Sequence, residues 1–243
     1  MIYFMPAKIN SEGRYLPYPG VTVVAAIKEA DKPFWQLIYE TITKNKEFTN
    51  YFSPLPYESY HLTTINLYTK DATGSRKWRE FIVSNRDFFL SIKDLLTKKS
   101  FTPIVLVESI QIAGALQIIV TLPEEQIKII QQVAKAHHVE MGIPTVFHIT
   151  LAYQFKYVET QILEKLRLTL KEELFAILKA QNSVLTLTPP ELCFFNDMTK
   201  FVPWSGDRYP FSESIGDSKI FFSTEEESSE KEKPLSSSRC LIA

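Results

Sequence analysis

The stretch Tyr60-His61-Leu62-Thr63-Thr64-Ile65 has a counterpart later in the chain, Phe147-His148-Ile149-Thr150-Leu151-Ala152, and both place a His-x-Thr motif among β-forming residues. Successive side chains of a strand point to opposite faces, so the histidine and the threonine of each motif share one face. The chain holds four histidines, and two of them stand in this pattern. The recurrence predicts two equivalent strands, each presenting an imidazole and a hydroxyl.

The elements around the two motifs follow the same predicted order, which is strand, helix, His-x-Thr strand, helix, strand. A short apolar, β-branched run over Val21–Ile27 predicts the first buried strand, and the order begins again near Leu116. The second histidine lies 87 residues after the first (148 minus 61). A repeat of this size indicates a duplication into two lobes rather than a solenoid.

We therefore expect an α+β, bilobal duplicated fold over residues 1–210, with lobes at about 21–113 and 114–198. Two antiparallel-type sheets backed by helices should face each other across a central cleft with pseudo-twofold symmetry. Between the motifs, we predict one continuous helix over about residues 75–99 and another over about 123–141. Residues 49–58, which contain two prolines, are expected to form a loop before the first motif.

Composition excludes several classes of protein. The 45% hydrophobic content of the 243 residues is ample for a core, and a formal net charge of −1 argues against broad nucleic-acid binding. Two cysteines argue against a disulfide scaffold and favour a reducing, cytoplasmic compartment. No Cys/His cluster has zinc-ligand spacing, and neither a signal peptide nor a spanning apolar run is visible. We predict neither a metal nor a cofactor.

The residue types of the two motifs suit phosphodiester cleavage. That reaction needs a base to activate the attacking group and an acid to protonate the leaving oxygen. An unperturbed histidine pKa near 6.5 lets one of His61 and His148 be neutral while the other is protonated. The hydroxyls of Thr63 and Thr150, about 6–7 Å further along each strand, can donate hydrogen bonds to phosphate oxygens. Which histidine is the acid is left open.

The paired motifs, their spacing and the lobe order resemble the two-histidine (2H) phosphoesterases, which include 2′-5′ RNA ligase-like proteins and cyclic nucleotide phosphodiesterases. The resemblance covers about residues 15–205 and is closest to a bacterial branch of uncharacterised function. It rests on the two motifs and on two further segments, Pro19-Gly20-Val21-Thr22-Val23-Val24 and Pro190-Glu191-Leu192-Cys193-Phe194-Phe195-Asn196-Asp197-Met198. It implies metal-independent phosphodiester chemistry, with one catalytic His-x-Thr from each lobe.

The predicted substrate is therefore a nucleotide or short oligonucleotide with a 2′,3′-cyclic or 2′,5′-linked phosphodiester. One alternative is a non-catalytic module that binds nucleotides or RNA ends on the same scaffold. Another is an RNA ligase or transferase that uses related chemistry. Both histidines and both threonines are present, which favours catalysis over binding alone.

Four further residues are candidates for contact with the substrate. Strict alternation turns Tyr60 and Tyr153 away from the His/Thr face, which favours a place in the core over substrate contact. Asn196 and Trp204 are further candidates. Loop aromatics that could either stack on a base or pack on the body are Tyr51, Phe52, Tyr57 and Trp204.

Three basic residues outside the motifs have simpler explanations. His137 and His138 lie near the end of a predicted helix, where a cationic side chain suits the helix dipole. Lys156 follows the second motif and could approach a phosphate, although a solvated lysine at a strand end is the more common case.

Residues 211–243 are predicted to form a flexible, charged and Ser-rich tail that ends in Cys240-Leu241-Ile242-Ala243. This ending fits the C-a-a-X prenylation pattern, with Cys240 as the lipidated residue and a terminal Ala that favours farnesyl. Prenylation requires a eukaryotic prenyl transferase as a partner, and a single lipid gives only marginal peripheral membrane attachment. A bacterial effector delivered into host cytosol or to a host membrane surface would reconcile this ending with the bacterial resemblance.

Overall fold

The computed structural model describes residues 8–73 and 77–211. Six α-helices form in these ranges: α1 (Lys32–Lys44), α2 (Lys46–Thr49), α3 (Trp78–Ser84), α4 (Arg86–Lys98), α5 (Glu124–Ala136) and α6 (Thr160–Ala180). The strands of the described chain are β1 (Gly20–Ala26), β2 (Phe52–Pro54), β3 (His61–Thr69), β4 (Ile104–Ile112), β5 (Ala115–Thr121), β6 (His148–Gln154), β7 (Val184–Thr186), β8 (Glu191–Phe195) and β9 (Phe201–Pro203).

These strands join into one antiparallel sheet with the order β7-β4-β5-β6-β3-β1-β8-β9, and β2 pairs with β6 beside this path. The order is symmetric about its middle, where the two His-x-Thr strands β6 and β3 are neighbours. Outward from them β5 matches β1, β4 matches β8, and β7 matches β9. The α+β prediction is confirmed, and the two predicted sheets are the halves of this single sheet.

The halves meet at one register pair, in which Leu62 of β3 lies opposite Ile149 of β6. Each of these residues is the middle one of its motif, and each is fully buried in the core. Facing residues of an antiparallel pair point to the same side, so the histidines and threonines that flank them project together from the other face.

Helices cover the core face of the sheet through regularly spaced apolar side chains. Trp35, Ile38 and Ile42 of α1 are at most 1% exposed. Along α6, leucines at intervals of four residues form one buried stripe: Leu166, Leu170, Leu174 and Leu178. These side chains share a core with Leu62 and Ile149, so packing against the helices fixes which face of β3 and β6 carries the motifs.

The single helix predicted over residues 75–99 is wrong, because two helices, α3 and α4, meet at Asn85. The Asn85 side-chain amide donates to the carbonyl of Phe81 at 2.8 Å, and its backbone leaves helical geometry at φ −109°. A short polar side chain that competes for backbone groups in this way commonly ends a helix.

The other two predicted boundaries also differ. The helix expected over 123–141 ends at Ala136, and a separate 3-10 turn forms over Glu140–Gly142 after His138 adopts a left-handed φ of 55°. The expected loop over 49–58 contains strand β2, which the backbone of β6 binds.

The chain crosses between the halves of the sheet. The tight turn at Ala113 and Gly114 joins β4 to β5, so β4 lies in the half that contains the second motif. Conversely, β8 lies beside β1 in the half that contains the first motif. The predicted boundary between residues 113 and 114 therefore separates the two copies of the repeat along the chain. It does not coincide with the boundary between the two halves of the sheet, which lies between β3 and β6.

The tail from residue 212 onward, with Cys240, lies outside the described residues. Its prenylation, membrane attachment and delivery to a host stay predictions. Within residues 8–73 and 77–211, no helix has the length and apolarity needed to cross a membrane.

Candidate active site

Both motifs open into one cleft of about 240 Å³ at the seam between the halves of the sheet. Its lining includes all four polar side chains of the motifs: His61, Thr63, His148 and Thr150. Pairing of Leu62 with Ile149 places His61 beside Thr150 and Thr63 beside His148. Diagonal neighbours on such a pair lie about 7–8 Å apart, with their Cβ atoms somewhat closer, a separation that leaves room for a phosphate between the histidines.

A β-bulge follows each motif at the same place. Thr64 has no Cα partner on β1, because Val23 pairs with Ile65 and Val24 with Thr63. Leu151 is skipped by β5 in the same way. Each bulge puts two buried residues in succession, so the alternation of faces restarts one residue later.

Because the alternation of faces shifts by one residue at the bulge, Tyr153 lines the cleft, and the prediction that it faces the core is wrong. Its counterpart in the other half is Asn66, since each lies five residues after its histidine, and Asn66 lines the cleft as well. Strict alternation was wrong here because it assumes an unbroken strand. The residues at the two bulges, Thr64-Ile65 and Leu151-Ala152, show no sequence pattern that would predict a bulge.

Backbone carbonyls orient both imidazoles. His61 Nδ1 lies 2.7 Å from the carbonyl oxygen of Ser59, and His148 Nδ1 lies 3.0 Å from that of Val146. A carbonyl can only accept, so Nδ1 carries the hydrogen in each ring. Nε2 is left in both rings as the nitrogen that exchanges a proton with a substrate.

The two histidines differ in their surroundings. The Phe201 ring lies over His61 with centroids 3.9 Å apart. Burial lowers the pKa of His61 to about 4, and the positive charges of His148 and Lys8 act in the same direction against the bond to the Ser59 carbonyl. At neutral pH the imidazole of His61 is therefore unprotonated.

The two threonines also differ. Gln117 on β5 donates from Nε2 to the hydroxyl oxygen of Thr150 at 3.4 Å, which leaves the Thr150 hydroxyl hydrogen for another acceptor. Opposite Thr63, the corresponding strand β1 supplies Val24, which has no polar side chain. The hydroxyl of Thr150 is thus held by a neighbour that Thr63 lacks.

The charge of the cleft is positive, although the chain as a whole is not. Lys8 and the two histidines are the basic residues of the described lining, and no Asp or Glu belongs to it. Across the described chain, no three His, Cys, Asp or Glu side chains cluster as ligands of a metal ion would. The cleft can therefore hold an anion through hydroxyl, imidazole and ammonium groups.

Aromatic rings form much of the remaining wall, and sequence reasoning missed most of them. The rings that line the cleft are Tyr18, Tyr68, Tyr153, Phe195 and Phe201. Tyr153 lies on β6 after the bulge, whereas Tyr18, Tyr68 and Phe201 come from the segment before β1, from beyond the β3 bulge and from β9. These segments are far apart in sequence, and their proximity to the cleft is visible only in the folded structure.

Three predicted contacts lie elsewhere. Tyr60 is fully buried against Trp35, as alternation predicts, and does not line the cleft. Trp204 is 3% exposed and packs on Phe89 of α4. The carboxamide of Asn196 accepts from the Tyr209 hydroxyl and is absent from the cleft wall, so contact of these three with a substrate is not supported.

The remaining candidates also lie away from the cleft. Phe52 is buried and stacks on Phe48, and neither Tyr51 nor Tyr57 lines the cleft. The Lys156 ammonium lies over the ring of Phe155 at the end of β6. His137, held between the hydroxyl of Ser91 and the carbonyl of Val133, belongs to an outer groove between α4 and α5.

Comparison with known protein families gives a match that includes the first motif. Residues 8–109 match the family model 2H-phosphodiest, described as a domain of unknown function (DUF1868). The matched residues include the first His-x-Thr motif, so this finding agrees with the resemblance to the two-histidine phosphoesterases. The match agrees with the predicted phosphoesterase-type activity, and the bacterial branch stays a prediction.

Other similar proteins extend the match. Uncharacterized protein 127L of Invertebrate iridescent virus 6 is 28% identical over 227 residues, which are 81% of this chain and 93% of that protein. The crystal structure of a conserved protein of unknown function from Agrobacterium tumefaciens aligns with a TM-score of 0.64 at 21% identity, over 82% of this chain and 90% of that one. It shares the fold. Escherichia coli LigT, complexed with NADP+, aligns with a TM-score of 0.41 at 13% identity, over 77% of this chain and 95% of LigT.

Proposed function

We propose that this protein is a phosphodiesterase that cleaves a nucleotide or short oligonucleotide phosphodiester, 2′,3′-cyclic or 2′,5′-linked, in the cleft between β3 and β6. One observation carries the proposal, namely the pairing of Leu62 with Ile149, because it aims both histidines and both threonines into the same cleft. The aromatic wall supplies faces on which a base can stack, worth about 1–3 kcal/mol per base.

In the proposed reaction the threonine hydroxyls donate to the non-bridging oxygens of the phosphate. One imidazole takes a proton from water as the water oxygen bonds to phosphorus. The bond from phosphorus to the leaving sugar oxygen breaks, and the other imidazolium gives that oxygen its proton. The products are a phosphate monoester and a free hydroxyl, and proton exchange with solvent restores both histidines.

The surroundings of the histidines favour one assignment of roles. His61 is unprotonated at neutral pH, which suits the group that accepts the proton of water. His148 is then the proton donor. A substrate with a good leaving group needs little help from an acid, so His148→Ala should lose much less activity on a nitrophenyl phosphodiester than on a nucleotide. His61→Ala should lose activity on both substrates, and the reverse pattern would exchange the roles.

The activity itself is tested with a panel of 2′,3′-cyclic nucleotides and 2′,5′-oligoadenylates, with and without a chelator. We expect turnover that survives the chelator, because the scheme uses no metal, and that falls at least about 10²-fold in His61→Ala and His148→Ala. His137→Ala is the matched control, since His137 lies in the outer groove. Tight binding without turnover would instead support a binding module, and joining of ends would support a ligase.

A further inference from the structure

Lys8 reaches the cleft from the segment that precedes the first strand. Its Nζ lies 3.4 Å from the Tyr153 hydroxyl and 5.2 Å and 5.4 Å from the ring centroids of Tyr153 and Tyr18. None of the ion pairs formed within residues 8–73 and 77–211 involves Lys8. Neutral groups thus hold the ammonium, and its charge is available to an anion in the cleft.

A small hairpin fixes the position of Lys8. The Lys8 carbonyl accepts from the amide of Leu16 at 3.0 Å, and an isolated bridge pairs Ile9 with Tyr15. The Tyr15 hydroxyl donates to the carbonyl of Ser53 at 2.7 Å, which ties the hairpin to β2. Because this backbone is already ordered, a ligand that binds Lys8 need order little more than the lysine side chain.

The ammonium lies at one end of the cleft. Tyr153 is three residues beyond Thr150, at most about 10 Å along the strand, which the bulge at Leu151 shortens. At the opposite end the counterpart residue, Asn66, is neutral, and its amide donates to the carbonyl of Gly142 at 3.2 Å. Among the described residues, the Lys8 cation therefore lies only at the Tyr153 end. The two ends of the pseudo-symmetric cleft differ in charge.

We infer that the substrate carries a second phosphate, separate from the reacting one, which binds the Lys8 ammonium and the Tyr153 hydroxyl. The inference rests on the proposed function and extends it to the substrate class. An ammonium is a strong point-charge partner for phosphate oxygens. The adjoining Tyr153 hydroxyl donates to the Met198 sulfur at 3.6 Å, and it adds a donor for phosphate when it turns from this weak acceptor. The lysine also sets the direction of the substrate, with its second phosphate towards the hairpin and the reacting phosphate between the histidines.

The test compares adenosine 2′,3′-cyclic phosphate with the same compound carrying a 5′-phosphate. We expect the wild-type kcat/KM to be at least about 10-fold higher with the 5′-phosphate, because a charge-assisted contact is added. Lys8→Met should reduce this ratio to below about 2-fold. Lys156→Met is the matched control and should keep the wild-type ratio. If kcat/KM falls equally on both substrates in Lys8→Met, or does not change, the ratio keeps its wild-type value. That result would overturn the inference.

A second arm identifies the kind of phosphate. A dinucleotide that ends in a 2′,3′-cyclic phosphate presents an internal diester in place of the terminal monoester. A Lys8-dependent gain with either compound supports the inference, and the larger gain shows which source the cleft prefers. No gain with either compound contradicts it.

Binding separates this inference from the proposed function. If the wild-type protein cleaves none of these compounds, calorimetry compares adenosine 2′-monophosphate with adenosine 2′,5′-bisphosphate. Binding of the bisphosphate at least about 10-fold more tightly, lost in Lys8→Met, upholds the second phosphate site while the proposed hydrolysis fails. Equal affinities overturn the second site.

Discussion

Leu62 and Ile149 lie directly opposite each other and form the register pair that joins the two halves of the sheet. Both side chains are 0% exposed, and each is flanked by the histidine and the threonine of its motif. In a strand, a slip of one residue would turn every side chain to the other face. The packing of these two residues on the core thus keeps both motifs in the cleft.

Shortening Leu62 should therefore affect both stability and activity. Leu62→Ala should lower the free energy of unfolding by about 2–5 kcal/mol, since it removes buried methyl groups. Leu170→Ala on α6 is the matched control, because Leu170 is equally buried but distant from the motifs. Urea unfolding and kcat/KM on the best substrate should show similar stability losses, with activity per folded molecule reduced only in Leu62→Ala. Equal activity in the two variants would contradict the alignment argument.

The pKa of His61 makes the stability depend on pH. It is about 4 in the folded protein and near 6.5 in the unfolded chain, so below pH 6.5 the unfolded chain binds a proton that the folded protein does not. The contribution of His61 to stability should therefore decline as the pH falls from about 6.5 to about 4. Urea unfolding at several pH values checks the slope, which should be shallower in His61→Asn. An identical slope in the two proteins would be the contrary result.

The ring of Phe201 takes part in this burial. Removing it in Phe201→Ala should raise the pKa of His61 towards its ordinary value, because water then reaches the imidazole. A phosphate bound in the cleft should raise the same pKa by favouring the charged ring. NMR titration of the His61 imidazole measures both effects, with Phe175→Ala on α6 as the control. A pKa of His61 that stays near 4 in Phe201→Ala would show that other groups cause the burial.

Loss of either threonine hydroxyl should slow the reaction. Thr63→Val and Thr150→Val should each lower kcat by about 10²-fold if the hydroxyls stabilise charge in the transition state. Thr169→Val on α6 removes a hydroxyl that bonds only within its helix, and it should keep full activity. A smaller loss is expected in Gln117→Leu, since Gln117 positions Thr150 without contacting substrate. A change confined to KM would assign the hydroxyls to ground-state binding instead.

Gly142 should tolerate no side chain. A Cβ there would overlap the carbonyl oxygen of Asn66, whereas a Cβ at Gly114 would meet nothing within 4 Å. Gly142→Ala should lower the free energy of unfolding by about 1–3 kcal/mol and displace Pro144 of the cleft wall, while Gly114→Ala should change stability by less than about 0.5 kcal/mol. Thermal unfolding and kcat/KM compare the two variants. Equal stability would mean that the loop shifts freely.

The parts of the fold that depend on local pattern could be predicted from the sequence. Alternation put His61 with Thr63 and His148 with Thr150, and the repeat predicted their symmetry. Alternation failed at Tyr153 because a bulge is a property of two paired strands, and one strand alone carries little sign of it. Lys8 could not be found either, since its place in the cleft depends on a hairpin that contacts β2 and β6 from far away in sequence.

The position of β8 and β9 has a consequence for synthesis on the ribosome. Strand β1 precedes β8 in the chain and has it as its outer neighbour, and β9 brings Phe201 over His61. A nascent polypeptide therefore leaves one edge of β1 open until about 170 further residues have been translated. Such distant pairings slow folding. Enzymatic activity is therefore expected to appear only after β8 and β9 have paired with the rest of the sheet.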